Sequence, residues 1–126
     1  MRVLLDTVTF IWALASPERL SKKAMAVLKD QKNIRLISAI SLSEIAIKQT
    51  LGKLNFSRVD VSTGIVDLQA RFLPYSAEHA YQLFDLPPHH SDPFDRQIIS
   101  QALIEEIPVV TIDEKFELYV GLKVIW

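Results

Sequence analysis

Four carboxylates, Asp6, Glu44, Asp95 and Asp113, stand where an alternating α/β chain would bring them together. Asp6 ends the apolar run Val3-Leu4-Leu5, Glu44 comes early in an apolar-periodic segment, Asp95 lies in HSDPFDR, and Asp113 follows Val109-Val110-Thr111. Acids gathered without bases repel one another and shift each other's pKa values. A hard divalent cation such as Mg²⁺ or Mn²⁺ takes several oxygen ligands at once and keeps them ionised. The pattern therefore points to metal-assisted chemistry. With no cysteine in the chain, disulfides, thiolate catalysis and zinc-finger sites are excluded, and a reducing compartment, the cytoplasm, is the expectation.

The elements that must position these acids are legible as punctuated hydrophobic runs. Strands are expected at residues 2–5, 34–37, 72–75, 108–111 and 123–126, each short and apolar. Between them fall helices through residues 10–14, ending at Ser16-Pro17, from the N-cap Ser21, over 39–51 with Gly52 as the stop, over 61–70, and from Ser76 through Phe84. Asp92 at N-cap, Pro93 at N1 and Asp95 at N3 mark the clearest helix start, with Ile98, Ile99, Ala102 and Leu103 as its apolar face. A short helix is expected at 114–118. Alternation of this kind predicts a three-layer α/β fold, a central parallel sheet of four or five strands flanked by helices, in which ligands lie at the carboxyl ends of the strands. Strand ends and the helix starts that follow them share one rim, so the four acids converge there.

At 126 residues the chain is read as one domain spanning 1–126. The N-terminal apolar run carries Asp6 and is too short to cross a bilayer, so it is read as core and no membrane role is expected. Net charge is −1, but residues 1–58 carry +6 and residues 59–126 carry −7. A basic half beside an acid-rich one suits a polyanion approaching a metal site, although a mixed, solubilising surface explains the same distribution.

The motifs LLDT with Trp12, SLSEIAIKQTLGKL, HHSDPFDRQIISQAL and VVTIDEKF together resemble PIN-domain ribonucleases, and within them the VapC-type toxins of bacterial toxin–antitoxin pairs. The resemblance covers nearly the whole chain. It implies a metal-dependent endoribonuclease using one or two Mg²⁺ or Mn²⁺ ions, with Asp6, Glu44, Asp95 and Asp113 matching the acidic quartet and Asp92 an additional acid. It also implies an RNA substrate, a homodimer, and a small antitoxin protein covering the active-site groove. The resemblance further implies products with 5′-phosphate and 3′-hydroxyl ends, and metal-assisted in-line hydrolysis of a phosphodiester needs no dedicated histidine base. Three positions depart from the family's pattern: Val8 stands where many relatives have His, Ser43 where many have an aromatic, and Ser91 where a basic residue is common. None removes an acid of the quartet.

Each candidate also has a purely structural explanation. Asp6 and Asp113 suit helix N-caps, as does Asp92. Glu44 follows Ser41 by three residues, so a capping box competes with metal binding, and Lys48 suits an i,i+4 partner for it. Thr7 and Thr111 would orient waters or carboxylates. Lys48 and Arg96 are candidates for phosphates, Arg96 through a bidentate fork. Adjacent His89 and His90 lack the spacing of a helical metal pair and are assigned to loop surface. Trp12, Trp126 and Phe94 are assigned to the core rather than to base stacking.

Rival functions fare less well. A haloacid-dehalogenase-like phosphotransferase would need an acid where Val8 stands, and a nucleotide-binding domain would need a Gly-rich loop that Gly52, Gly64 and Gly121 do not form. A PIN-like module binding RNA or protein without catalysis is the alternative from another class, disfavoured by retention of all four acids.

Overall fold

In the computed structural model, which describes residues 1–126, the first strand β1 (Arg2–Leu5) sits in the middle of a five-stranded sheet. Its neighbours are β2 (Ile34–Ser38) on one side and β4 (Val109–Val110) on the other, with β3 (Arg71–Leu73) and β5 (Val124–Ile125) at the edges. All four pairings are parallel, with Leu4 opposite both Leu36 and Val109, and Leu5 opposite both Ile37 and Val110. The order β3-β2-β1-β4-β5 reverses direction at β1, which makes the carboxyl ends of β1 and β4 the switch point where such sheets open a crevice.

Strand periodicity assigns the two faces. Val3 and Leu5 pack with Phe10 of α1 (Thr7–Ala15), Ala24 and Leu28 of α2 (Lys22–Lys29), Ile45 of α3 (Ala39–Thr50) and Val61 of α4 (Arg58–Asp67). Leu4, between them in sequence, points the other way, onto Ile98, Ile99 and Ala102 of α6 (Pro93–Glu105). The brief α5 (Ala77–Tyr81) packs against α6. This is the three-layer arrangement expected from the alternation. Each fully buried aliphatic side chain in these layers contributes roughly 1.5–3 kcal/mol. No helix is long and apolar enough to cross a membrane.

Several boundaries differ from the sequence expectation, each for a local reason. Helix α4 starts at Arg58 rather than at 61, because Ser57 and Asp60 form a reciprocal capping box. Gly64 inside it is where α4 meets α1, since a Cβ there would lie 2.2 Å from Leu14 Cδ1. Strand β3 pairs one residue earlier than expected, and β4 and β5 are two residues each. The N-cap of α3 is Ser38, whose hydroxyl accepts from Ile40 N–H, so Ser41 forms no capping box with Glu44. Helix α6 starts as the sequence indicates, with Asp92 capping, Pro93 at N1, and Glu105 as its last residue.

Candidate metal centre

Asp6 leaves the end of β1 and caps α1. Its Oδ1 accepts from Thr9 N–H at 2.8 Å and its Oδ2 from the Thr111 hydroxyl at 2.6 Å, while only 4% of the residue is exposed. Thr111, at the end of β4, also accepts from the Asp113 N–H at 3.0 Å. One threonine therefore joins the two acids of the switch point. Thr7 donates to Ser41 at 2.8 Å, which ties the start of α1 to α3 one turn before Glu44.

Glu44 is buried, with Oε2 bonded to Lys48 Nζ at 2.5 Å and Oε1 enclosed without any hydrogen-bond partner. A buried carboxylate oxygen left without a donor is costly in the protein alone, on the order of 1–3 kcal/mol. Lys48 is half exposed, and its pKa is raised first by the Glu44 hydrogen bond, with the charges of Asp92 and Asp95 adding to it. Asp92 caps α6 by accepting from Phe94 N–H at 2.8 Å and Asp95 N–H at 3.2 Å.

Asp95, in the first turn of α6, registers the convergence of the whole set. Burial, then the charges of Asp92, Asp6, Glu44 and Asp113, push its carboxyl up to about 8. Burial also raises Asp6, against the opposing hydrogen bonds from Thr111 and Thr9. The four acids singled out by sequence thus share one cleft at the carboxyl ends of β1 and β4.

His90 is a correction. The sequence places it on a loop surface, whereas it is buried, 6% exposed, against two of these acids. Its Nε2 lies 2.7 Å from Asp113 Oδ2 and 3.2 Å from Asp95 Oδ2, and the three side chains' ligand atoms fall within 4.8 Å of one another. The signal available was its position two residues before Asp92, because His90 Nδ1 accepts from Asp92 N–H at 3.1 Å and so shapes the turn that leads into α6. His89 is exposed as expected, edge-on to Tyr119.

Arg96 also differs from expectation. Its Nη1 donates to the Pro87 and His90 carbonyls and its Nη2 to the Leu86 carbonyl, so the guanidinium holds the proline loop rather than presenting a free fork. Trp12 and Trp126 are half-buried neighbours, 6.3 Å between ring centroids, with Arg19 stacked over Trp12, and Phe94 is half-buried as well. Val8, Ser43 and Ser91 are all exposed.

The donor set fits a hard divalent cation. It is rich in carboxylate oxygen, one buried oxygen lacks a partner, and burial followed by its neighbours' charges pushes one carboxyl up to about 8. Comparison with known proteins gives the frame for this cleft. The fold resembles VapBC2 from Rickettsia felis, solved bound to a DNA fragment from its promoter, with TM-score 0.72 at 20% identity over 98% of this chain and 97% of that one. It also resembles VapBC-5 from Mycobacterium tuberculosis, a member of the VapBC family of toxin–antitoxin systems, with TM-score 0.61 at 15% identity over 98% and 96%. The PIN domain endonuclease Utp24 gives TM-score 0.56 at 19% identity over 98% and 82%. No curated protein matches the sequence. The PIN domain family model matches residues 3–122, almost the full length, and the chain belongs to that family.

Proposed function

We propose that the protein is a metal-dependent endoribonuclease, the toxin of a type II toxin–antitoxin pair, acting in the cytoplasm as a single-domain chain that assembles as a homodimer. The observation that carries the nuclease reading is Glu44 Oε1, buried and without a donor in a cleft where Asp6, Asp95 and Asp113 crowd one another. Mg²⁺ or Mn²⁺ held there supplies an activated water and a counter-charge for the phosphate. The chain's own groups do the rest. Glu44 and Asp95 would hold the cation, and Thr9 and Thr111 hold Asp6 in one orientation. Asp113 completes the rim of the site, and Asp92 adds negative charge while capping α6. Lys48, half exposed beside Glu44, is placed to meet a phosphate of the RNA. Likeness to VapBC assemblies supports a small antitoxin as the protein partner, seated over this cleft.

The test is incubation of purified chain with total RNA in Mn²⁺ or in chelator, followed by end mapping. Cleavage that needs the cation and leaves 5′-phosphate ends is expected. Asp6→Asn and Asp95→Asn should each lose at least a hundredfold in rate while keeping the native circular dichroism spectrum. Wild-type rates in either folded variant would remove that residue from the site. Cation-independent binding of RNA without cleavage would select the non-catalytic module instead.

A further inference from the structure

The His90 ring is held from several sides. Its Nδ1 accepts from Asp92 N–H at 3.1 Å, its own backbone N–H donates to the Tyr119 hydroxyl at 2.8 Å, and the ring stands edge-on to Phe116 with centroids 5.7 Å apart. A ring nitrogen that accepts a hydrogen bond carries no proton, so the neutral imidazole bears its proton on Nε2. That N–H is the one facing the carboxylates: it donates to Asp113 Oδ2 at 2.7 Å and stands 3.2 Å from Asp95 Oδ2.

This arrangement argues against His90 as a metal ligand. A cation on Nε2 would move the ring proton to Nδ1, where it would face the Asp92 N–H, donor against donor. Meanwhile Glu44 Oε1 is buried without a donor. We propose that His90 is a positioning residue, whose Nε2–H holds Asp113 and stands against Asp95, so that the remaining lone pairs of both acids face the cation. The inference rests on the metal-dependent reading and adds a residue to it. It makes the loop before α6 part of the site's machinery, since the same imidazole joins the turn at Asp92 to the acid that follows β4.

Two amides separate the ring's two jobs. His90→Asn places an acceptor near the Nδ1 position and keeps the turn, but is too short to reach Asp113. His90→Gln places an N–H₂ near the Nε2 position and keeps the donor to Asp113, but gives up the acceptor for Asp92 N–H. Mn²⁺ binding by the purified chain, followed by electron paramagnetic resonance of the free ion, is measured alongside thermal unfolding. Loss of a hydrogen-bonding partner behind a metal site typically weakens metal affinity about 10–100-fold. The Asn variant should show a loss in that range with little change in its ion-free melting temperature, and the Gln variant should stay within about threefold of wild type. Unchanged Mn²⁺ affinity in the Asn variant overturns the proposal, as does an equal loss in both variants. A folded wild type that binds no Mn²⁺ is a different failure, because it removes the metal-dependent reading itself.

Discussion

Asp95 is the residue on which the crowding of the cleft falls hardest. With no cation present its carboxyl sits near 8, because burial and four neighbouring negative charges oppose ionisation. A divalent cation needs the ionised form, so binding must expel the proton. At pH 7 uptake of Mg²⁺ or Mn²⁺ should release close to one proton per site, and apparent affinity should climb with pH until about 8 before levelling. Titration calorimetry in two buffers of different ionisation enthalpy reads that proton directly. Affinity independent of pH between 6 and 8, with no buffer dependence, would show that Asp95 is already ionised and that the acids are less tightly gathered than the geometry indicates. Thr111 and Thr9 act on Asp6 in the opposite sense, since hydrogen bonds to the charged form partly offset its burial.

At the scale of elements, α6 carries candidate ligands at its first turn and a structural anchor at its last. Glu105 accepts from Arg2 at 3.2 Å and from His79 Nε2 at 3.0 Å, which ties α6 to the start of β1 and to α5. His79 first, and Arg2 after it, hold the Glu105 carboxyl below its ordinary value against the opposing effect of burial. A lowered folded pKa means the pairing stabilises above the unfolded value and is lost as pH falls through the folded one. Glu105→Gln should therefore lose about 0.5–1 kcal/mol at pH 7, judged by urea unfolding, and the gap should close as pH falls below the ordinary glutamate range. A gap that does not narrow in acid would assign the effect to packing instead. The same helix separates what sequence can disclose from what it cannot. Asp92, Pro93 and Asp95 announced its start because capping is a local matter written in adjacent residues. Ser57 with Asp60 is equally local, but the apolar period by itself starts only at Val61 and so hides the cap ahead of it. The freedom of Glu44 depended on Ser38 rather than Ser41 capping α3, a choice made by where β2 ends. His90 was out of reach for another reason: its burial is produced by Tyr119 and Phe116, more than twenty residues away, and no period or spacing encodes that contact.

For the molecule as a whole, the sheet gathers its apolar strands at the centre and its least comfortable groups at the switch point beside them. Val3, Leu4, Leu5, Val109 and Val110 are fully buried, and directly beyond them the chain places Asp6 and Asp113, with Glu44 and Asp95 reaching in from α3 and α6. Such a fold gathers its acids at a cost to its own stability, which a ligand bound among them would offset. The sign follows from Asp95. Its folded pKa of about 8 lies above the ordinary carboxylate value of 3.8, so between those values the folded chain keeps a proton that the unfolded chain releases. Stability of the ion-free protein must then fall as pH rises from about 4 to about 8, with the full penalty present above that. Asp95→Asn removes the titrating group. Without cation it should melt higher than wild type by several degrees, on the order expected for one or two kcal/mol in a domain this size, and the gap should open between pH 4 and pH 8. Adding Mg²⁺ should raise the wild-type melting temperature and leave the variant's nearly still. Scanning calorimetry with and without chelator across that range decides it: a variant less stable than wild type in chelator at pH 8 would mean that Asp95 serves the fold, and that the cleft is an ordinary capped helix start rather than a site kept ready for a cation.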